Sequence, residues 1–275
     1  MGIEVPVALS IAGSDSGGGA GIQADLKTFT ALRVFGASVI TSVTAQNTKS
    51  VLGISDLEPE FVKLQLDAVL GDIGADAAKL GMLSNEGIIK AVSDKIRQYN
   101  IKKLVLDPVM RSKAGEVLLQ KEAEQALIDE ILPISYIVTP NVPEAEILAA
   151  QKITTLEDMR ESAVVIKALG PDYVLVKGGH LSPSAEATDI LYDGENFLTI
   201  SSPRIDTKNT HGTGCTYSAS ICALLARGYS VVDAVKASKR YVYGAIKGSF
   251  SIGGGHGPLN HFWEYEIHKE GTANG

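Results

Sequence analysis

The chain has 275 residues, 45% hydrophobic and 21% charged, with two cysteines. That composition excludes a disordered or fibrous chain, and the length allows one large domain or two small ones whose core needs no disulfide or metal. Lysine and arginine number 25 against 32 acidic side chains, a net charge of −7, so no nucleic-acid or membrane partner is expected and only a local basic pocket for a small anion remains open.

Residues 7–12 are a short apolar run that reads as a strand. It stops at Gly13-Ser14-Asp15-Ser16-Gly17-Gly18-Gly19-Ala20-Gly21, read as a flexible loop ahead of a helix over 22–32. Strands follow at 37–44, 77–81 and 103–106, separated by helices at 60–70 and 86–99. Helices at 120–132, 142–150 and 156–169 alternate with strands at 136–138 and 173–177. VALSIA, KLVLD, YIVT and YVLVK are continuously apolar, as a parallel sheet covered by helices on both faces requires. Asp193-Gly194, between 189–192 and 197–200, signals a hairpin and hence an antiparallel edge. Helices at 215–227 and 231–250 close the pattern, and Val235, Val242 and Ile246 share a face of the second. One α/β domain over 1–275 is expected, loosely ordered from about 263.

Cys215 and Cys222 lie seven apart in a helical segment, which suits neither zinc nor a disulfide framework. The first apolar run lacks a basic flank, and no stretch approaches the roughly 20 apolar residues of a bilayer span. A cytoplasmic protein without a secretory signal is expected.

Ligands of a parallel sheet collect beyond the carboxyl ends of its strands. Four such exits carry polar or glycine-rich chemistry: 13–21, Asp107-Pro108-Val109-Met110, Thr139-Pro140-Asn141 with Glu144, and Lys177-Gly178-Gly179-His180. The glycines at 13–21 match neither the dinucleotide fingerprint nor the P-loop. They read as a flexible turn or as a backbone collar around a small ligand, with Asp25 on the next helix available for a polar contact. Asn209-Thr210-His211-Gly212-Thr213-Gly214-Cys215-Thr216 precedes a helix of small residues. Free N–H groups and the helix dipole there would hold a phosphate, unless the segment is a plain turn capped by Thr213 or Thr216. The dipole should lower the Cys215 pKa and give a reactive thiolate, although a buried small hydrophobe is the alternative; Cys222 reads as inert core. No pair among His180, His211, His256 and His261 has metal-ligand spacing on a helix, so no transition metal is expected.

Residues 10–27, Thr44-Ala45-Gln46-Asn47-Thr48, Asp107-Pro108-Val109-Met110, Lys177-Gly178-Gly179-His180 and 209–215 together resemble the hydroxymethylpyrimidine and phosphomethylpyrimidine kinases of thiamine biosynthesis. The resemblance extends from about Val7 to His261. It implies a ribokinase-like α/β/α sandwich and transfer of phosphate from ATP, with Mg2+, to 4-amino-5-hydroxymethyl-2-methylpyrimidine and then to its monophosphate. Gln46 would pair with the aminopyrimidine edge, since an amide both donates and accepts. Gly13 and Met82 would enclose the ring. The N–H groups of His211, Gly212, Thr213, Gly214 and Cys215 would form the anion hole, and Cys215 would accept the hydroxyl proton. Removing that thiol should then hurt the first phosphorylation more than the second, whose acceptor is already an anion. Glu144, otherwise a first-turn acid favoured by the dipole, would hold Mg2+ through water, with Asp107 as a further metal candidate. Lys177, Asn209, His211 and Lys239 would serve ATP, although Lys239 also reads as solvated helix surface. A homodimer is expected. The rivals are a pyridoxal or pyridoxine kinase, a hydrolase using Cys215 with His211 or His180, and a non-catalytic pyrimidine binder. Arg111-Ser112, following Met110, lacks the lid cysteine of some pyridoxal kinases and favours the pyrimidine.

Overall fold

The computed structural model describes residues 5–112, 115–181 and 185–265, apart from the His180 side chain. Its strands are β1 (Val7–Asp15), β2 (Phe35–Gln46), β3 (Val51–Asp56), β4 (Ala77–Leu80), β5 (Leu104–Leu106), β6 (Ile137–Val138), β7 (Tyr173–Val176), β8 (Glu186–Tyr192) and β9 (Phe197–Pro203). Among the described residues these form one sheet in the order β3-β2-β1-β4-β5-β6-β7-β8-β9. Strands β2, β1, β4, β5, β6 and β7 run parallel, β3 adds antiparallel at one edge, and β8 and β9 add antiparallel at the other.

Helices α1 (Gly21–Ala31), α7 (Thr213–Ala226) and α8 (Val231–Lys247) cover one face. There Phe29, Tyr217, Ile221, Val235 and Val242 pack with Ala8, Ala77, Val105, Ile137 and Leu175 of the sheet. On the other face lie α2 (Pro59–Asp72), α3 (Glu86–Gln98), α4 (Lys121–Ala126), α5 (Val142–Ala149) and α6 (Leu156–Lys167). Their Leu66, Ile88, Ala145 and Met159 pack with Leu9, Ile11, Leu80, Leu104, Val138 and Val174. Successive residues of one strand, such as Leu104 and Val105, thus enter different cores. This is why the strands are apolar without alternation.

Three boundaries depart from the sequence pattern. β1 continues through Gly13 to Asp15 because its register against β2 shifts between Ala12 and Ser14, so part of the expected loop is strand with a bulge. The helix at 120–132 is α4 followed by a π turn at Leu127–Ile131 and a 3-10 turn at Leu132–Ile134; Pro133 supplies no N–H to continue it. β3 gave no signal, since Leu52 and Ile54 are exposed and the edge strand buries no alternating face. At the end of the chain, Trp263 Nε1–H donates to the Tyr241 carbonyl (3.1 Å) and Tyr265 O–H to that of Ala31 (2.9 Å). Residues 263–265 are therefore anchored rather than loose, and the rest of the expected tail, 266–275, lies outside the described residues. Among the described residues no helix is long and apolar enough to cross a membrane.

β1 connects to β2 on one side while the later parallel strands build outward from β4 on the other. The switch point of the sheet, where a crevice opens at the strand ends, is between β1 and β4.

Candidate active site

A cavity of about 650 Å3 opens at that switch point, within the range of small-molecule sites. Gly13 at the β1 bulge and Met82 just after β4 meet across it, with the Met82 sulfur 3.1 Å from where a side chain on Gly13 would begin. Gln46 ends β2, its backbone bracketed by Ser16 and its amide 3.1 Å from the Thr44 hydroxyl. These three residues make one wall.

The opposite end is the start of α7. Gly212 stands at its N-terminus with φ +83°, and no side chain caps it. Thr213 Oγ1–H donates back to the Thr210 carbonyl (2.8 Å), and Thr216 Oγ1 lies 3.0 Å from His261 Nε2, so neither threonine is the cap that a plain turn would use. The Thr213 and Thr216 amides return to the carbonyls of Thr210 and Gly212. That leaves the Gly214 and Cys215 N–H groups without a partner among the described residues, on the cavity wall, at the positive end of the helix.

Beneath lies a set of buried charges. Lys177 Nζ donates to Asp107 Oδ1 at 2.7 Å, and Ser218 Oγ reaches Asp107 Oδ2 at 3.3 Å. Burial would raise Asp107, but Lys177 and Lys79 outweigh it and hold the carboxyl below its usual range. Glu144 forms a capping box with Asn141, accepting its N–H at 2.8 Å. Burial, with Asp107 nearby, pushes Glu144 up to about 7 despite Lys177. Lys239 Nζ donates to Asp189 Oδ2 (2.7 Å), which also accepts from Tyr217 O–H (3.0 Å), while Asp189 Oδ1 accepts from Gly178 N–H (3.0 Å). Lys239 is thus a buried member of the cavity wall, not a solvated helix side chain. β1 and β4 bring Ser10 opposite Lys79; Lys79 Nζ donates to both carboxylate oxygens of Asp25 (2.9 and 2.8 Å) and Ser10 O–H to Oδ2 (2.6 Å), with no solvent exposure at either charge.

The expectation for Cys215 is reversed. Although part of the residue opens to the cavity, loss of solvent around the sulfur outweighs the Lys79 charge and the Gly21 N–H, pushing the thiol up to about 11. Burial, which disfavours the thiolate, is the largest of these causes. Cys222 is fully buried and raised further, as expected of inert core.

The phosphomethylpyrimidine kinase family model matches residues 15–260. The chain belongs to that family. A Bacillus subtilis hydroxymethylpyrimidine/phosphomethylpyrimidine kinase is 48% identical over 255 residues, 93% of this chain and 94% of its own. Among solved structures, the Clostridium difficile phosphomethylpyrimidine kinase superposes with a TM-score of 0.79 at 46% identity, covering 88% of this chain and all of that one. The Staphylococcus aureus pyridoxal kinase in complex with AMP-PCP and pyridoxal gives 0.89 at 34% identity over 96% of both chains. The three-layer ribokinase-like architecture implied by the resemblance is the one observed, and the protein is a phosphotransferase of this family.

Within this family member, Gly13, Gln46, Met82, Asp107, Glu144, Lys177, His211, Gly212, Thr213, Gly214, Cys215 and Lys239 all line the one cavity. Two predicted residues do not. Asp25 is spent beneath the wall on Lys79 and Ser10. Asn209 Nδ2 donates to Ser251 Oγ (3.0 Å) and its Oδ1 accepts from Gly257 N–H (3.3 Å), so it braces the turn from behind. Asp15, Lys79 and Asp189, which no sequence motif singles out, also line the cavity. Lys79 had one signal, a lone charge inside an otherwise apolar strand, whereas Asp189 had none, because β8 also carries Glu186 and Thr188. Asp15 was hidden within a run taken as flexible.

No group of three His, Cys, Asp or Glu side chains able to hold a metal is assembled among the described residues. The donor chemistry fits a hard ion that would keep water and substrate phosphate in its shell, as Mg2+ does: Glu144 and Asp107 offer carboxylate oxygens, and their proximity already disfavours charge on Glu144.

Proposed function

We propose that the protein uses ATP to phosphorylate the hydroxymethyl group of 4-amino-5-hydroxymethyl-2-methylpyrimidine and then the resulting monophosphate, for thiamine biosynthesis. The observation that carries this reading is one cavity joining the unpartnered amides at the start of α7 to the Gly13–Gln46–Met82 wall. Gln46 offers a donor and an acceptor to the ring nitrogen and exocyclic amine, while Met82 and the Gly13 backbone, packed against each other, offer one apolar surface to the ring. Gly214 and Cys215 N–H groups take the transferred phosphoryl group, and Lys177 and Lys239 add positive groups along the nucleotide, while His211 turns its Nε2 to Asp15. Phosphoryl transfer asks mainly for this positioning and charge neutralisation.

Glu144, with Asp107, would hold Mg2+ through water, and the ion when bound would neutralise phosphate charge. A thiol at about 11 is protonated near neutral pH, so Cys215 is not a resting base. Its sulfur orients the hydroxyl, whose proton is lost late in a loose transition state. The same thiol disfavours the hydrolase reading, as does His211, whose ring nitrogen is directed to Asp15 at 2.9 Å. We also propose a cytoplasmic homodimer, tested by light scattering of the purified protein.

The deciding experiment measures ADP release with ATP and Mg2+ in the presence of the hydroxymethylpyrimidine, its monophosphate, pyridoxine and pyridoxal at equal concentration. Turnover of both pyrimidines well above the other two is expected. Turnover of the pyridoxines alone would move the activity to vitamin B6 salvage, and no turnover at all would leave a binding protein.

A further inference from the structure

Asp15 is not needed as a base, yet its carboxylate accepts four hydrogen bonds on the cavity wall. It is 3% exposed. Its Oδ1 accepts from Gly17 N–H (2.8 Å), and its Oδ2 from Gly19 N–H (3.1 Å), Ala20 N–H (2.8 Å) and His211 Nε2 (2.9 Å). Burial alone would raise its pKa, but the His211, Ala20 and Gly17 bonds outweigh that and lower it, so the group is an anion whose acceptor capacity is consumed. His211 lies 196 residues further along the chain and opens the turn that ends in the Gly214 and Cys215 amides.

The two loops that Asp15 and His211 join are in contact with no room between them. A side chain on Gly19 would strike the His211 ring, and one on Gly212 would strike the Gly19 carbonyl. The far side of the turn is fixed independently, by His211 N–H donating to the Gly257 carbonyl (3.1 Å). The Gly17–Ala20 loop leads out of the Gly13 bulge on the acceptor wall, while the turn carries the phosphate amides.

We infer that Asp15 is a positioning residue for phosphoryl transfer, acting through His211 to clamp the acceptor loop onto the phosphate-binding turn. The inference rests on the kinase reading above. Each substrate meets mainly its own loop, so the clamp governs how the two reacting oxygens line up more than how tightly either substrate binds. Transfer is sensitive to that alignment, with an ångström of misplacement worth about 100-fold.

The test compares wild type, Asp15→Asn, His211→Ala, His211→Gln and the Asp15→Asn/His211→Ala double variant in the ADP-release assay, with thermal unfolding of each. Asp15→Asn replaces an acceptor by an NH2 group that opposes the donors around it, and should lower kcat roughly 10- to 100-fold with both KM values within about threefold. His211→Ala should match it, and the double variant should be no slower than the slower single one, as for two ends of one interaction. His211→Gln keeps a donor near the Nε2 position and should stay within about fivefold of wild type. Full kcat in Asp15→Asn, losses that multiply in the double variant, or equal loss in His211→Gln and His211→Ala would each overturn the inference. Should Asp15→Asn fail to fold, the two His211 variants carry the comparison. A wild-type protein that turns over none of the acceptors overturns the kinase reading and the inference with it, whereas an active wild type beside an unimpaired Asp15→Asn overturns the inference alone.

Discussion

Lys79→Met removes the cation of an ion pair with no exposure at either partner and two bonds of 2.9 and 2.8 Å. The Ser10 hydroxyl remains, at 2.6 Å, but one neutral donor does not hold a charge in a dry site. The Asp25 carboxyl must then be kept protonated. At pH 7.5 that costs about 5 kcal/mol at ~1.36 kcal/mol per pH unit above the ordinary 3.8, and less relative to wild type, where burial already raises Asp25 despite Lys79. Breaking buried pairs by removing one partner costs ~3–5 kcal/mol, the same range, and a domain has only ~5–15 kcal/mol in hand. The sign with pH follows. A carboxyl held neutral in the folded state, with a raised pKa, costs nothing below the unfolded value and progressively more above it. Chemical denaturation of Lys79→Met should therefore show a loss that shrinks to under ~1 kcal/mol near pH 4 and grows toward pH 7.5. Asp25→Asn/Lys79→Met, with no charge left to strand, should recover most of the stability at pH 7.5. A loss in the single variant that does not change with pH, or a double variant no more stable than the single one, would refute the account of this pair.

Iodoacetamide should alkylate Cys215 slowly at pH 7.5, the rate rising about tenfold per pH unit up to pH 10, because the thiol sits near 11; a plateau below pH 8 would restore a thiolate lowered by the helix. Glu144→Gln, followed by denaturation in EDTA without nucleotide, should gain stability over wild type by up to about 3 kcal/mol between pH 5 and 8.5. The wild-type carboxyl, raised from 4.5 to about 7, costs stability between those values, where it ionises only in the unfolded chain, and the amide does not, so an unchanged difference across that range would count against the burial argument. Lys239→Met leaves Asp189 with Tyr217 and Gly178 and should fold, with KM for ATP raised roughly tenfold; an unchanged KM would confine Lys239 to a structural pair.

Much of this protein was legible in local pattern. Continuously apolar strands between amphipathic helices require a covered parallel sheet, whatever the order of its strands, because a two-faced sheet has no solvent side on which to place polar residues. Asp193-Gly194 marked the hairpin of β8 and β9, and the glycines before α7 marked an uncapped helix start, since turn geometry and helix ends are decided within a few residues. The motifs from Ser10 to Cys215 carried the family.

Tertiary structure decided what depends on pairs far apart in the chain. Lys79 meets Asp25 only through the β1–β4 register, and Lys239 meets Asp189 only when α8 packs beside the antiparallel edge. Asp15 finds His211 across 196 residues. The same burial that assembles these pairs turned the Cys215 thiol from an expected anion into a neutral group: a helix dipole is local and visible in sequence, whereas desolvation is the sum of everything packed around the sulfur.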